Sequence, residues 1–262
     1  MENRTARILQ FVVSLLALMG AGFATGAEPT SNRLVLMSEI LEEERAINVV
    51  LPPTSAPDAR FPVVVVLDGE PPFFQTAVER MRRVHSGLIF VGLENTDRTR
   101  DMFPKPVPDK RNRGGGADRF LEFLEVELLP YLDEHVPGDG RHILTGQSNS
   151  GYFALYALCR APDAFEAIIA SSPMIGWDWE TLSTCTEALF ASRKTLPRSL
   201  FLNHGETDSV RTTDYLPQYV SLIERLAPID FRWTFEIAAG ESHVPDSSHG
   251  VGIAFILRTG ND

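Results

Sequence analysis

A chain of 262 residues, 44% of them hydrophobic, is long and apolar enough to bury one large core. That composition excludes a disordered or low-complexity protein. A formal charge of −11 argues against nucleic acid or an anionic lipid surface as partner.

The chain opens with Arg4 and Arg7, an apolar run from Ile8 to Met19, and small residues from Gly20 to Ala27. This is the layout of a secretory signal peptide cut after Ala27. An apolar core of about 12 residues is short against the ~20 that a spanning helix needs. The expectation is a leader over 1–27 and one catalytic domain over 28–262, exported to the periplasm or medium, with no stable membrane insertion. Loss of Arg4, Arg7 and Glu2 would take the charge from −11 to −12. Cys159 and Cys185 then have two readings. They form a disulfide in an oxidising compartment, or Cys159 is an ordinary buried thiol. Sequence does not give the Cα separation that a bridge requires.

Residues 46–51 alternate and stop at Pro52 and Pro53, which predicts an edge-side strand. A turn-rich connector, 54–60, follows. Val63 to Leu67 is a continuous β-branched run, suited to a strand covered on both faces of a parallel sheet. Asp68 and Gly69 close it. Residues 73–84 have helical spacing, and 88–91 read as a second buried strand. The charged stretch 94–116 is long for a structureless loop, and such loops often carry function. Residues 118–135 are amphipathic, with Phe120, Leu124, Leu128 and Leu132 on one face; Pro130 predicts a kink or an early end. Strands at 142–144, 167–170, 200–202 and 231–237 then alternate with helices at 149–160, 178–191, 214–226 and 249–257. The alternation predicts an α/β fold, a mostly parallel central sheet with helices on both faces. Ligands in such sheets bind at the carboxyl ends of the strands.

Three strand ends carry reactive side chains. Ser148 follows the 142–144 strand in a Gly146-x-Ser148-x-Ser150 turn. A nucleophile elbow needs small residues two before and two after the serine. Gly146 and Ser150 meet that need, although glycine is usual at the second place. Ser150 itself would have Tyr152 at that position, which is too bulky. A serine hydroxyl needs a base, and the base a carboxylate to orient it. His243 follows the 231–237 strand, with His249 as its rival; His85, His135 and His142 precede Ser148, and His204 suits a packing role. After the 200–202 strand, Glu206 and Asp208 are the candidate acids, with Asp208 favoured. The order Ser148, Asp208, His243 is the one α/β hydrolases follow. The oxyanion of acyl transfer would be held by backbone N–H groups of Asn149 and Glu70. His243, His249 and Asp246 lack a convincing zinc spacing, so neither metal nor organic cofactor is expected.

These residues resemble a known family. Stretches 61–74, 94–104, 114–135, 142–158, 165–178 and 240–243 are similar to the esterase D-like family of α/β hydrolases. That family also holds feruloyl and acetyl xylan esterases, mycolyltransferases and siderophore esterases. The 95–101 loop and the 115–121 segment most resemble the enterobactin- and salmochelin-type branch. The resemblance implies an α/β-hydrolase fold, with Ser148 as nucleophile and His243 as base. Some members of that branch work with little help from an acid such as Asp208. The basic residues of the 95–113 loop, among them Arg98 and Arg100, either face an anionic substrate or form a solvated surface. Trp177 either walls the acyl pocket or packs structurally. The expected function is a serine esterase that cleaves a small-molecule ester, siderophore-like or other, through an acyl-enzyme. Acyl transfer to an alcohol and a non-catalytic, hydrolase-like binding protein are the alternatives.

Overall fold

In the computed structural model, residues 31–53 and 56–258 are described. The leader expected over 1–27 lies outside them. The apolar run that suggested a doubly covered strand is β3 (Phe61–Leu67), buried from Pro62 onward. Its side chains alternate between two cores: Val63, Val65 and Leu67 enter one, Val64 and Val66 the other. That is the period-2 consequence of strand geometry when both faces are apolar. β4 (Ile89–Leu93) and β8 (Ala167–Ser171) are buried throughout for the same reason.

Eight strands form one sheet: β1 (Ser31–Ser38), β2 (Glu43–Val50), β4, β3, β7 (Gly138–Gln147), β8, β9 (Ser199–Gly205) and β10 (Arg232–Ala238), in that spatial order. Pairing is parallel from β4 to β10, while β1 and β2 join antiparallel. The sheet differs from the sequence reading at one side. Residues 46–51 do not form the edge, because β1 pairs outside β2 along its whole length.

Helices α1 (Phe73–Val84) and α9 (Ser248–Leu257) cover one face. The opposite face carries α3 (Ala117–Phe123), α4 (Leu129–His135), α5 (Asn149–Arg160), α6 (Trp179–Ser192) and α8 (Leu216–Leu226), with the one-turn α7 (Val210–Thr213) just ahead of α8. Residues 117–135 form one helical run in which a π-helical turn, Leu124–Leu128, separates α3 from α4. Pro130 explains the interruption: it donates no N–H, and its ring crowds the carbonyl four residues back. α5 is buried on every side from Asn149 to Cys159. Cys159 and Cys185 are joined, tying α5 to α6 with a Cα separation of 5.7 Å. The 94–116 stretch contains a short helix, α2 (Arg98–Met102), and a two-residue pairing of β5 (Pro106–Val107) with β6 (Arg113–Gly114). No helix among the described residues is long and apolar enough to cross a membrane.

Candidate active site

Four of the seven non-glycine residues at positive φ among the described residues gather at one edge of the sheet. Asp68 follows β3 with φ +58°, Ser148 follows β7 with φ +59°, Ser172 follows β8 with φ +45°, and Val244 sits in the loop after β10 with φ +58°. Non-glycine residues seldom adopt this region, and a β-branched residue there is an outlier. Strain of this kind clusters at functional sites, and all four positions lie at the carboxyl edge of the sheet.

Ser148 occupies the sharp turn between β7 and α5, with ψ −120°. The turn requires glycine at 146, because a Cβ there would sit 2.2 Å from the Ser150 carbonyl oxygen. Ser148 N–H donates to Ser171 O (2.9 Å), and Ser148 O accepts from the N–H groups of Tyr152 and Met174 (both 3.1 Å). The hydroxyl is left facing outward. His243 Nε2 lies 2.9 Å from Ser148 Oγ, and His243 Nδ1 lies 2.5 Å from Asp208 Oδ1. The structure therefore brings Ser148, His243 and Asp208, taken from three strand ends, into one hydrogen-bonded chain. The Asp208 side chain is fully buried, and that of His243 is 38% exposed.

Burial alone would push the Asp208 carboxyl up. Hydrogen bonds from His243, Ser172 and the Ser209 amide, with the charge of His243, outweigh it and hold the group below the usual range. Ser172 is suited to this task because its hydroxyl oxygen accepts from Val244 N–H (2.8 Å), which leaves its proton to give. Glu206 points elsewhere: its carboxylate accepts from Gly240 N–H (2.7 Å) and so shapes the loop that leads to His243. That loop rests directly on β9, where a Cβ on Gly205 would meet Ser242 O at 2.0 Å.

The other histidines are occupied or distant. His249 is buried, and burial lowers its pKa to about 4; its Nδ1 lies 3.5 Å from Thr145 Oγ1, not at Ser148. His204 Nδ1 lies 2.6 Å from Gly205 O. Asp246 pairs with Arg80 (2.7 Å) rather than with either histidine. Among the described residues, no group of three His, Cys, Asp or Glu side chains is arranged to hold a metal.

The Glu70 and Asn149 N–H groups, expected to face an oxyanion, donate to no protein group among the described residues. The Glu70 carboxylate accepts from Asn95 N–H and from Asn95 Nδ2 (both 2.8 Å), and the same Nδ2 reaches Asp68 Oδ1 (2.9 Å). Asn48 Nδ2 donates to Gly69 O (3.0 Å), while Gly69 N–H donates to Leu93 O (2.9 Å). The 94–98 segment is thus a cradle for the 68–70 turn. Asp68, Asn95 and Ser150 are the residues that sequence reasoning missed. The unusual serine at 150 was the available signal.

The two basic residues singled out in the sequence are both paired within the chain. Arg98 is spent on Asp68 (2.6 and 2.7 Å) and Arg100 on Glu43 and Asp101 (both 2.6 Å), so neither presents a free cation to a substrate. Trp177 lies in the turn after β8, with the Arg211 guanidinium 3.7 Å and the Lys110 ammonium 4.6 Å from its ring centre. Its ring packs against both cations. A groove of about 810 Å³ between α5 and α6, floored by Cys159 and Cys185, contains none of Ser148, His243 or Asp208. The hydrogen-bonded chain therefore lies apart from that groove.

The chain is similar to several known proteins. Residues 38–255 match the model of the family described as "Putative esterase". Ferri-bacillibactin esterase BesA of Bacillus subtilis (strain 168) is 28% identical over 243 residues, covering 80% of this chain and 83% of that one. An IroE-like serine hydrolase from Shewanella oneidensis superposes with a TM-score of 0.74 at 25% identity, over 86% of this chain and 78% of the other. Siderophore hydrolase EstB from Aspergillus nidulans gives a TM-score of 0.71 at 25% identity, over 88% and 96%.

Proposed function

Because this chain belongs to the family described as "Putative esterase" and is a carboxylic ester hydrolase, we propose that it works through Ser148, His243 and Asp208. Ser148 Oγ attacks the ester carbonyl carbon as His243 Nε2 takes its proton. Asp208 holds the Nδ1–H and offsets the charge of the imidazolium. The carbonyl oxygen becomes an oxyanion between the Glu70 and Asn149 N–H groups, which are already aimed and need no reorganisation. Collapse breaks the bond to the alkoxy oxygen, which leaves as alcohol with the proton from His243. Water, deprotonated by His243, then attacks the acyl-enzyme and releases the acid and free Ser148.

The observation that carries this reading is the unbroken chain of contacts, 2.9 Å from Ser148 Oγ to His243 and 2.5 Å from His243 to Asp208. Ser148→Ala should lower kcat on p-nitrophenyl esters by about 10⁴-fold or more, with the fold retained. It should also abolish covalent labelling by a fluorophosphonate. Wild-type turnover in that variant would remove Ser148 from the chemistry.

A siderophore-like ester is the substrate proposed. Its support is the names of two relatives, one a ferri-bacillibactin esterase and one a siderophore hydrolase. A panel running from short acyl esters and feruloyl sugars to catechol trilactones tests it through kcat/KM; a preference for the sugars would reject it. Export is proposed on the Cys159–Cys185 bond, which belongs in an oxidising compartment.

A further inference from the structure

The two amides proposed as the oxyanion site come from different strand ends. Glu70 follows β3, and Asn149 follows β7. The β3–β7 ladder stops at Val66 and Thr145, so beyond that point backbone pairing no longer sets their separation. One side chain spans the gap. Arg98 grips the Asp68 carboxylate with Nε to Oδ1 (2.6 Å) and Nη2 to Oδ2 (2.7 Å). The same Nη2 reaches Gln147 O (3.2 Å) and Ser150 Oγ (3.3 Å), on either side of Ser148 and Asn149. Ser150 closes the ring by donating to Asp68 Oδ2 (2.8 Å).

We propose that Asp68, Arg98 and Ser150 are positioning residues that fix the distance between the Glu70 and Asn149 N–H groups. The inference rests on the reading of Ser148 as nucleophile. It explains why serine stands where the elbow motif normally has glycine: the hydroxyl is the third point of the clamp. Stability alone is a weak reason for such a set. Ser150 is fully buried and the Asp68 side chain is 10% exposed, and desolvation offsets much of the attraction in an ion pair placed like this. A bidentate guanidinium–carboxylate pair does supply fixed geometry, and oxyanion stabilisation depends on geometry at the ångström scale.

The test compares Ser150→Ala, Ser150→Gly, Arg98→Lys and Asp68→Asn with wild type. Active sites are counted by fluorophosphonate titration, so that kcat refers to folded enzyme. Ser150→Ala and Ser150→Gly should each lower kcat on p-nitrophenyl acetate about 10-fold, and Arg98→Lys and Asp68→Asn about 10²-fold, as expected for a displaced donor. KM should stay within about twofold. Fluorophosphonate labelling should slow in parallel, because the phosphonyl oxygen uses the same donors. The midpoints of the pH–rate profile should not move, since the His243–Asp208 contact is untouched.

Wild-type kcat per titrated site together with a lowered melting temperature would make the three residues merely structural and overturn the inference. So would a rise in KM at constant kcat. If the charged-pair variants fail to fold, Ser150→Ala decides, since it removes a single oxygen. Failure of the clamp is read against an inactive Ser148→Ala. An active Ser148→Ala would instead strike the underlying mechanism.

Discussion

Asp208 is an aspartate that burial should neutralise and that its neighbours keep charged. It sits with its side chain fully covered, a placement that on its own raises a carboxyl pKa. His243, Ser172 and the Ser209 amide reverse the direction. A carboxylate that stays ionised can hold the imidazole ring and meet the positive charge formed as Ser148 loses its proton. In the proposed mechanism it does not itself touch the substrate. Its loss should therefore cost less than loss of the base. We expect His243→Ala to approach the deficit of Ser148→Ala, and Asp208→Ala to fall about 10-fold or more short of it in kcat. Equal losses in stopped-flow ester hydrolysis would mean that the ring is useless without its partner, and no loss at Asp208 would remove the acid from the mechanism. That these three side chains meet was legible in the sequence because each follows a local rule, a polar residue just past a strand in a known order. The Asp68–Ser150 and Asn95–Glu70 pairings were not. Their partners lie 82 and 25 positions apart, and no spacing rule connects them before the sheet is assembled.

Among elements, the join between β2 and α2 has a marked dependence on acid. The Glu43 carboxylate receives the Arg100 guanidinium (2.6 and 3.1 Å) and the Thr96 hydroxyl (2.7 Å). It also lies 2.6 Å from the Arg45 guanidinium, which is buried against Asp101 and the rings of Phe120 and Phe123. The bonds from Arg100 dominate, burial opposes them, and Thr96 and the charge of Arg45 assist; together they hold the Glu43 carboxyl down at about 2, from an ordinary 4.5. The folded pKa is depressed, so the stabilisation is fully present above about pH 4.5 and is lost as the pH falls from there toward 2. Glu43→Gln should accordingly lower the urea midpoint at pH 7, and its deficit should shrink steadily between pH 4.5 and 2. A deficit constant across that window would show that shape and not charge is what Glu43 supplies. This join was unreadable in the sequence, where 94–116 appeared as a long charged loop with no sign of which strand it packs on. β1 was missed for a related reason. Leu34 and Leu36 face the core while Val35 and Met37 on the other side are exposed, so apolar residues occupy both faces and no alternation appears. The strands that were found have either alternation or a doubly buried run.

For the whole molecule, the site is a place where the fold accepts strain at one edge of a well-packed sheet. Each non-glycine residue held at positive φ costs about 1–3 kcal/mol, and four such residues ring the carboxyl edge. Two continuous cores, one on each face, keep them there. The four are not equivalent. Asp68 belongs to the ring of contacts with Arg98 and Ser150, Ser148 carries the oxygen proposed as nucleophile, and Ser172 accepts from Val244 N–H through Oγ and helps hold the Asp208 carboxyl down. Val244 uses only its backbone N–H there, yet its β-branched side chain makes the conformation most costly. Asparagine accepts the left-handed region far more readily and would keep the N–H bond to Ser172 Oγ. Val244→Asn should therefore relieve about 1 kcal/mol and raise the melting temperature by about 2–4 °C for a chain of this size. Turnover should stay within about twofold of wild type, because the backbone path to His243 is preserved. Calorimetry at one scan rate, with kcat measured on the same preparation, checks both. A lower melting temperature would mean that packing of the half-buried valine outweighs its strain, and a higher one with collapsed turnover would mean that the strain itself holds His243 against Ser148.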